Sequence, residues 1–129
     1  MTTLRVLLLL CLALPLSAAS WKAGTAKADI TPKKPIWMAG YGGRTKPSEG
    51  TLHPLWAKAL ALEDATGKRA VIIATDTIGL SGSIYNSLKL KLAKQYQLTP
   101  AQVMINASHT HTGPVMREGL YDIYPLNPE

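Results

Sequence analysis

The chain contains one cysteine, Cys11, and it sits inside an apolar stretch at the N-terminus. Arg5 precedes that stretch, Leu4 and the run from Val6 to Leu14 form it, and Pro15-Leu16-Ser17-Ala18-Ala19-Ser20 ends it in small residues. Residues 1–20 therefore read as a signal peptide, cleaved after Ala19 or Ser20, and the expected location is secreted or periplasmic. Once the leader is removed no cysteine remains, which excludes disulfides and thiolate catalysis together. No second long apolar run follows, so no membrane span is expected later. A nucleic-acid surface is excluded in the same way. The formal net charge is +6, but Lys22, Lys27, Lys58, Lys89 and the other basic residues are spread out rather than interleaved with stacking aromatics.

The mature part begins with alternation. Trp21, Ala23 and Thr25 oppose Lys22, Gly24 and Ala26, which fits a first strand ended by Thr31-Pro32, since proline cannot continue a central ladder. An irregular segment from Lys33 to Glu49 carries Gly40-Tyr41-Gly42-Gly43, where the backbone turns sharply or approaches something closely. It has neither phosphate-loop nor dinucleotide spacing. Residues 56–63 and 69–75 read as an antiparallel hairpin around Asp64-Ala65-Thr66-Gly67-Lys68. The second of these strands, rich in β-branched residues, is predicted to be buried on both faces. From Ser83 the period changes: Ile84, Leu88 and Leu92, flanked by Tyr85 and Gln95, predict a helix over 84–95 capped by Ser81 or Ser83. Thr99-Pro100-Ala101-Gln102 has the form of a capping box for one further turn, and residues 103–107 are a last buried-type strand.

Strand, helix and strand over 69–107 make a crossover unit, and a connection of this length joins parallel strands. The predicted fold class is thus α/β: a mixed sheet with an antiparallel hairpin and a βαβ crossover. Residues 120–129 hold three aliphatic and two aromatic residues with neither a helical period nor alternation. They read as loop that packs against something further, so 21–129 is expected to be the incomplete N-terminal part of a larger domain, the remainder missing from this chain.

Parallel strands open their carboxyl ends at one edge of the sheet, where ligands bind in such folds. Asp76 follows one end and Ser108-His109-Thr110-His111 the other. Only three histidines exist, and imidazole is the commonest ligand for borderline metals. Residues i and i+2 of an extended segment point the same way, so His109 and His111 can serve one ion, or one can ligate while the other orients water or substrate. A carboxylate after an apolar run is costly unless paired or ligating; Asp76 reads as a helix or loop cap, as a metal ligand or, preferably, as an acceptor that fixes an imidazole tautomer. Catalytic zinc takes three protein ligands plus water, and His53, the third histidine, is read as a rim residue. Tyr41 is a candidate for lining the same crevice, Arg117 and Glu118 for meeting a polar substrate group. Asn106-Ala107-Ser108 matches a glycosylation acceptor but is placed at a strand end expected to be buried.

These pieces, in order, resemble the neutral/alkaline non-lysosomal ceramidases in their N-terminal catalytic domain. The matching segments are Ala23-Gly24-Thr25-Ala26-Lys27-Ala28-Asp29-Ile30-Thr31-Pro32, Met38-Ala39-Gly40-Tyr41-Gly42, His53 to Asp64, Ala74-Thr75-Asp76 and Ser108-His109-Thr110-His111-Thr112-Gly113-Pro114. The resemblance implies a zinc amidase that frees the fatty acid of ceramide-like lipids, an N-acyl substrate met at a membrane surface. It implies Zn2+ as cofactor, His109 as the metal ligand and His111 as the catalytic group; the reading of the residues themselves adds Asp76 to the catalytic side. Thr112 stands where the family usually has serine, and Val115 where it has glycine. The alternatives are an exported metal- or ligand-binding module without turnover and an inactive fragment.

Overall fold

The computed structural model of the chain describes residues 20–116 together with Leu120, Ile123 and Tyr124. The leader other than Ser20, Arg117 and Glu118, and most of 120–129 lie outside the described residues. Four strands form one sheet in the order β1-β2-β3-β4: β1 (Lys22–Asp29), β2 (Trp56–Glu63), β3 (Arg69–Thr75) and β4 (Val103–Ala107). One helix, α1 (Gly82–Tyr96), and a 3-10 turn (Pro100–Gln102) connect the last two strands. The mixed α/β sheet expected from the sequence is the sheet observed.

Local chemistry sets each register. Asp64 Oδ1 accepts from the backbone N–H groups of Thr66 at 2.8 Å and Lys68 at 3.0 Å, and from the Thr66 hydroxyl at 2.7 Å. Gly67 takes a positive φ of 80° that a β-carbon would resist. This tight turn fixes the antiparallel pairing from Glu63 with Arg69 to Ala57 with Thr75. β1 adds antiparallel on the other side of β2, from Lys22 opposite Glu63 to Asp29 opposite Trp56. Asp29 Oδ1 then accepts from Thr31 N at 2.8 Å, and Thr31 Oγ1 from Leu55 N at 2.8 Å, which ends the strand one residue pair before Pro32.

The crossover is as the sequence required: β4 runs parallel to β3, with Val71 beside Val103 and Thr75 beside Ala107. Of the two candidate caps Ser81 serves α1, its hydroxyl accepting from Ile84 N at 3.2 Å. Gln97 ends the helix in the left-handed region, φ 55°. Gln102 accepts from Thr99 N at 2.8 Å and donates to Arg69 O at 2.7 Å, stitching the short turn to the start of β3.

The burial expected of two strands fails: in β4 only Val103 is buried, and β3 departs further. β3 is not buried on both faces: only Thr75 in it is buried, and Ile72 is 38% exposed. The physical reason is coverage. α1 lies along one face only, enclosing with Ala59, Ala61, Val71 and Ile73 a groove of about 460 Å³ that Leu92, Tyr96 and Leu98 help to line. The opposite face carries Lys27, Lys58, Leu60, Ile72 and Ala74 around an open hollow. β-Branched composition signalled a strand that can be covered twice, and among the described residues it is covered once.

Candidate functional site

The carboxyl ends of β3 and β4 do not fray into solvent. Both chains continue side by side beyond the sheet: Ser108 N donates to Thr75 O at 2.9 Å, Thr110 N to Thr77 O at 3.1 Å and Ser81 N to Met116 O at 3.1 Å. The glycine-bearing segment lies across them, with Ala39 N donating to Gly113 O at 2.9 Å and Met38 bridging to Pro114. Thr75 and Thr77 are both buried and share a hydrogen bond at 3.0 Å between their hydroxyls. Loop backbone can be buried only where its polar groups are paired, and here the pairs are made within the loops.

Glycine is required at one crossing. Gly40 has φ 113°, and a β-carbon there would stand 2.4 Å from His111 Cβ and 2.6 Å from His111 Cα. Its N–H donates to the Tyr124 hydroxyl at 2.8 Å. The close approach read from Gly40-Tyr41-Gly42-Gly43 is thus an approach to the histidine segment.

His109 adopts φ 61°, a left-handed conformation uncommon for a residue with a side chain. Its Nδ1 stands 2.9 Å from the carbonyl of Ile78. With the proton on Nδ1 donated to that carbonyl, the lone pair resides on Nε2. The His109 and His111 rings lie 4.9 Å apart between centroids, inclined at 63°, so the segment does bring both imidazoles together. Tyr41 stands edge-on to His111 at 5.3 Å and 77°.

Asp76 is placed differently. Its Oδ2 accepts from Trp56 N at 2.9 Å, and its Oδ1 lies 3.4 Å from the Ser108 hydroxyl; the acceptor beside His109 is the Ile78 carbonyl. Asp76 lines a cleft of about 420 Å³ with Thr110 and Thr112, and exposed His53 stands at its edge. His109 and His111 do not line that cleft, so Asp76 does not share with them the single crevice expected from the strand ends. Asn106, expected at a buried strand end, is exposed, because its side chain points to the uncovered face of the sheet.

A separation of 4.9 Å is that of an edge-to-face ring contact, and it is short enough for either or both imidazoles to reach one ion. Among the described residues no group of three His, Cys, Asp or Glu could hold a metal. His109 and His111 are the two candidate donors that the described residues bring together.

Arg44 escaped the sequence reading, which counted it among scattered basic residues. It is half-buried, its Nη2 donates to His111 O at 3.0 Å, and its guanidinium lies 5.2 Å from the centre of the Tyr41 ring. Only the nearby glycines hinted that a side chain here could reach the histidine loop.

Known proteins resemble this chain in sequence and in fold. The family model described as neutral/alkaline non-lysosomal ceramidase, N-terminal, matches residues 21–126. Neutral ceramidase of Pseudomonas aeruginosa is 34% identical over 122 residues, covering 84% of this chain and 18% of that protein. Neutral ceramidase of Drosophila melanogaster is 30% identical over 115 residues, covering 84% of this chain and 16% of that one. The crystal structure of neutral ceramidase from Pseudomonas aeruginosa superposes with a TM-score of 0.66 at 29% identity, over 77% of this chain and 16% of the solved one. The chain therefore spans less than a fifth of the length of the relatives it matches.

Proposed function

The chain belongs to the neutral/alkaline non-lysosomal ceramidase family, and from that premise we propose that it is the N-terminal part of an exported zinc-dependent amidase acting on the N-acyl bond of ceramide-like lipids. The observation that carries the reading is the His109–His111 pair, 4.9 Å apart, with Nδ1 of His109 beside a backbone carbonyl. A carbonyl on one ring nitrogen leaves the other free to bind metal.

His109 is the zinc ligand of this reading, through Nε2. Bound zinc would polarise the amide carbonyl and lower the pKa of a water molecule. His111 stands on the substrate side, where an imidazole takes a proton from the nucleophile's side and returns it to the departing amine. Asp76 contributes through position: it pins the start of β2 and the Ser108 hydroxyl at the root of the histidine segment. The remaining zinc ligands come, in this reading, from the larger part of the domain that the relatives possess.

The test uses the longest product of the reading frame. Zinc is measured by elemental analysis, and hydrolysis by release of fatty acid from an N-acyl sphingoid base in mixed micelles. His109→Ala is expected to lose the zinc, whereas His111→Ala keeps it and loses about 10²–10⁴-fold in turnover. Absence of both zinc and hydrolysis sinks the proposal. Zinc without hydrolysis favours the exported binding module instead. Export itself is read from the N-terminus of the secreted product, expected to be Ser20 or Trp21.

A further inference from the structure

We propose that Arg44 is the positioning residue of His111, locking that imidazole from two directions at once. The inference rests on His111 being the substrate-side group. Three contacts close a circuit. The Arg44 Nη2 donates to the His111 carbonyl at 3.0 Å. Its guanidinium lies over the Tyr41 ring at 5.2 Å, and Tyr41 meets the His111 ring edge-on at 5.3 Å. One cation therefore holds His111 by its backbone and, through Tyr41, by its ring. The turn that makes this possible is short: Arg44 N donates to Tyr41 O at 3.2 Å.

Tyr41 needs such a hold because it is 58% exposed, and packing alone does not orient a ring that is mostly in water. The contacts to guanidinium and imidazole are what define its plane. Gly40 lies so close to His111 that no β-carbon fits, and His109 flanks the ring at 4.9 Å, so Tyr41 is the neighbour through which Arg44 reaches the imidazole.

The competing role for an arginine beside an active histidine is direct capture of an anionic ligand. The geometry argues against it. Arg44 Nε is sealed from solvent with no hydrogen-bond partner among the described residues, and Nη2 already donates to His111 O, so the Nε side of the fork is closed to a ligand. An unpartnered buried N–H is unfavourable, and it persists because the other contacts of the same group hold it there. Lysine cannot replace this arrangement fully. A planar guanidinium can donate in its plane to a carbonyl while its face rests on a ring, whereas an ammonium is a point charge that must choose.

The experiment reads the His111 ring directly, in the zinc-free full chain, through the NMR signals of its carbon-bound protons, which the Tyr41 ring current displaces. Tyr41→Leu gives the undisplaced position. Arg44→Met, which keeps the stem and removes the cation, is expected to move the His111 signals most of the way to that position, with Arg44→Lys intermediate. His53, at the Asp76 cleft outside this circuit, is the internal control: its signals stay in place if Arg44 acts by positioning, whereas those of His109, 4.9 Å from the His111 ring, follow His111 in part. The proposal is overturned if the Arg44→Met signals of His111 remain at the wild-type position, or if those of His53 shift as well, as in a general loosening. If the methionine variant does not fold, the lysine variant decides by the same criterion. Where hydrolysis is detected, Arg44→Met should lower kcat about 100-fold with KM changed less than about twofold. Failure of the wild type to hydrolyse defeats the amidase reading and leaves the NMR comparison to judge Arg44.

Discussion

Ala39 and Thr77 lie outside the strands and are 0% and 1% exposed, while Met104, in the middle of β4, is 60% exposed. Globular proteins usually arrange this the other way, with strands covered and loops in water. At the carboxyl edge of the sheet the loops are cross-tied by backbone hydrogen bonds, a glycine crossing and buried threonines. Over the sheet itself, one face carries a single helix and the other is uncovered among the described residues. The order of this chain is concentrated where the candidate site is. The strands carry the apolar surface that a larger body, such as the rest of the relatives' chains, would cover.

The contrast can be broken most sharply at glycines. Gly40→Ala is expected to cost on the order of 2–5 kcal/mol, from backbone strain at φ 113° and the collision with His111. Gly24→Ala, where a β-carbon meets nothing within 4 Å, should be neutral or stabilise by up to about 1 kcal/mol, since glycine weakens a strand interior. Urea unfolding of the two variants side by side measures both. Equal losses would mean that the loop end is no more tightly packed than the sheet.

A smaller effect is expected at Asp76. Asp76→Ala leaves Trp56 N without its 2.9 Å acceptor and should cost about 1–3 kcal/mol. Asp76→Asn keeps an amide oxygen there and should cost less, by the same measurement. Smaller again is Ile72→Thr on the uncovered face, expected within about 0.5 kcal/mol. A large loss there would show that something already covers the sheet.

The smallest effect lies at exposed charges. The hydrogen bond from Lys22 draws the Glu63 carboxyl below its ordinary 4.5, and Thr31 draws Asp29 below 3.8, first through its hydroxyl and then its backbone N–H. Their folded pKa values are depressed, so their contribution is present above those ordinary values and is lost as pH falls through the depressed ones. The Lys22 ammonium is raised above 10.5 by the same hydrogen bond, so its share is present below 10.5 and fades above it. Unfolding midpoints should therefore be flat from about pH 5 to 10 and sag at both ends, and Glu63→Gln should flatten the alkaline sag. All these groups are in water, where such pairs contribute little.

Much of the fold was legible because it is written in local chemistry. Asp64-Ala65-Thr66-Gly67-Lys68 dictates the hairpin, Ser81 and Ile84 the start of the helix, and the length from Thr75 to Val103 a parallel return. Burial was not legible. Arg69–Thr75 has the composition of a strand covered twice, but coverage depends on what else packs there. At the site, His109-Thr110-His111 announced itself by residue type. Arg44 did not, because an isolated arginine looks the same whether it faces water or folds back onto a carbonyl.

The sequence by itself determined the strands, the helix, their order and the pairing of two imidazoles, since turns, caps and side-chain period act within a few residues. It also carried the family, through residues spread in order from the first strand to His109-Thr110-His111-Thr112-Gly113-Pro114. Only the tertiary structure decided which groups meet across the loops: Ile78 rather than Asp76 beside His109, Asp76 on Trp56, Gly40 under His111, and Arg44 closing the circuit through Tyr41. Apart from the local Arg44–Tyr41 contact, these contacts join residues 20 to 71 positions apart. Their partners are chosen by how the loops cross once the parallel strands lie side by side, which no local pattern encodes.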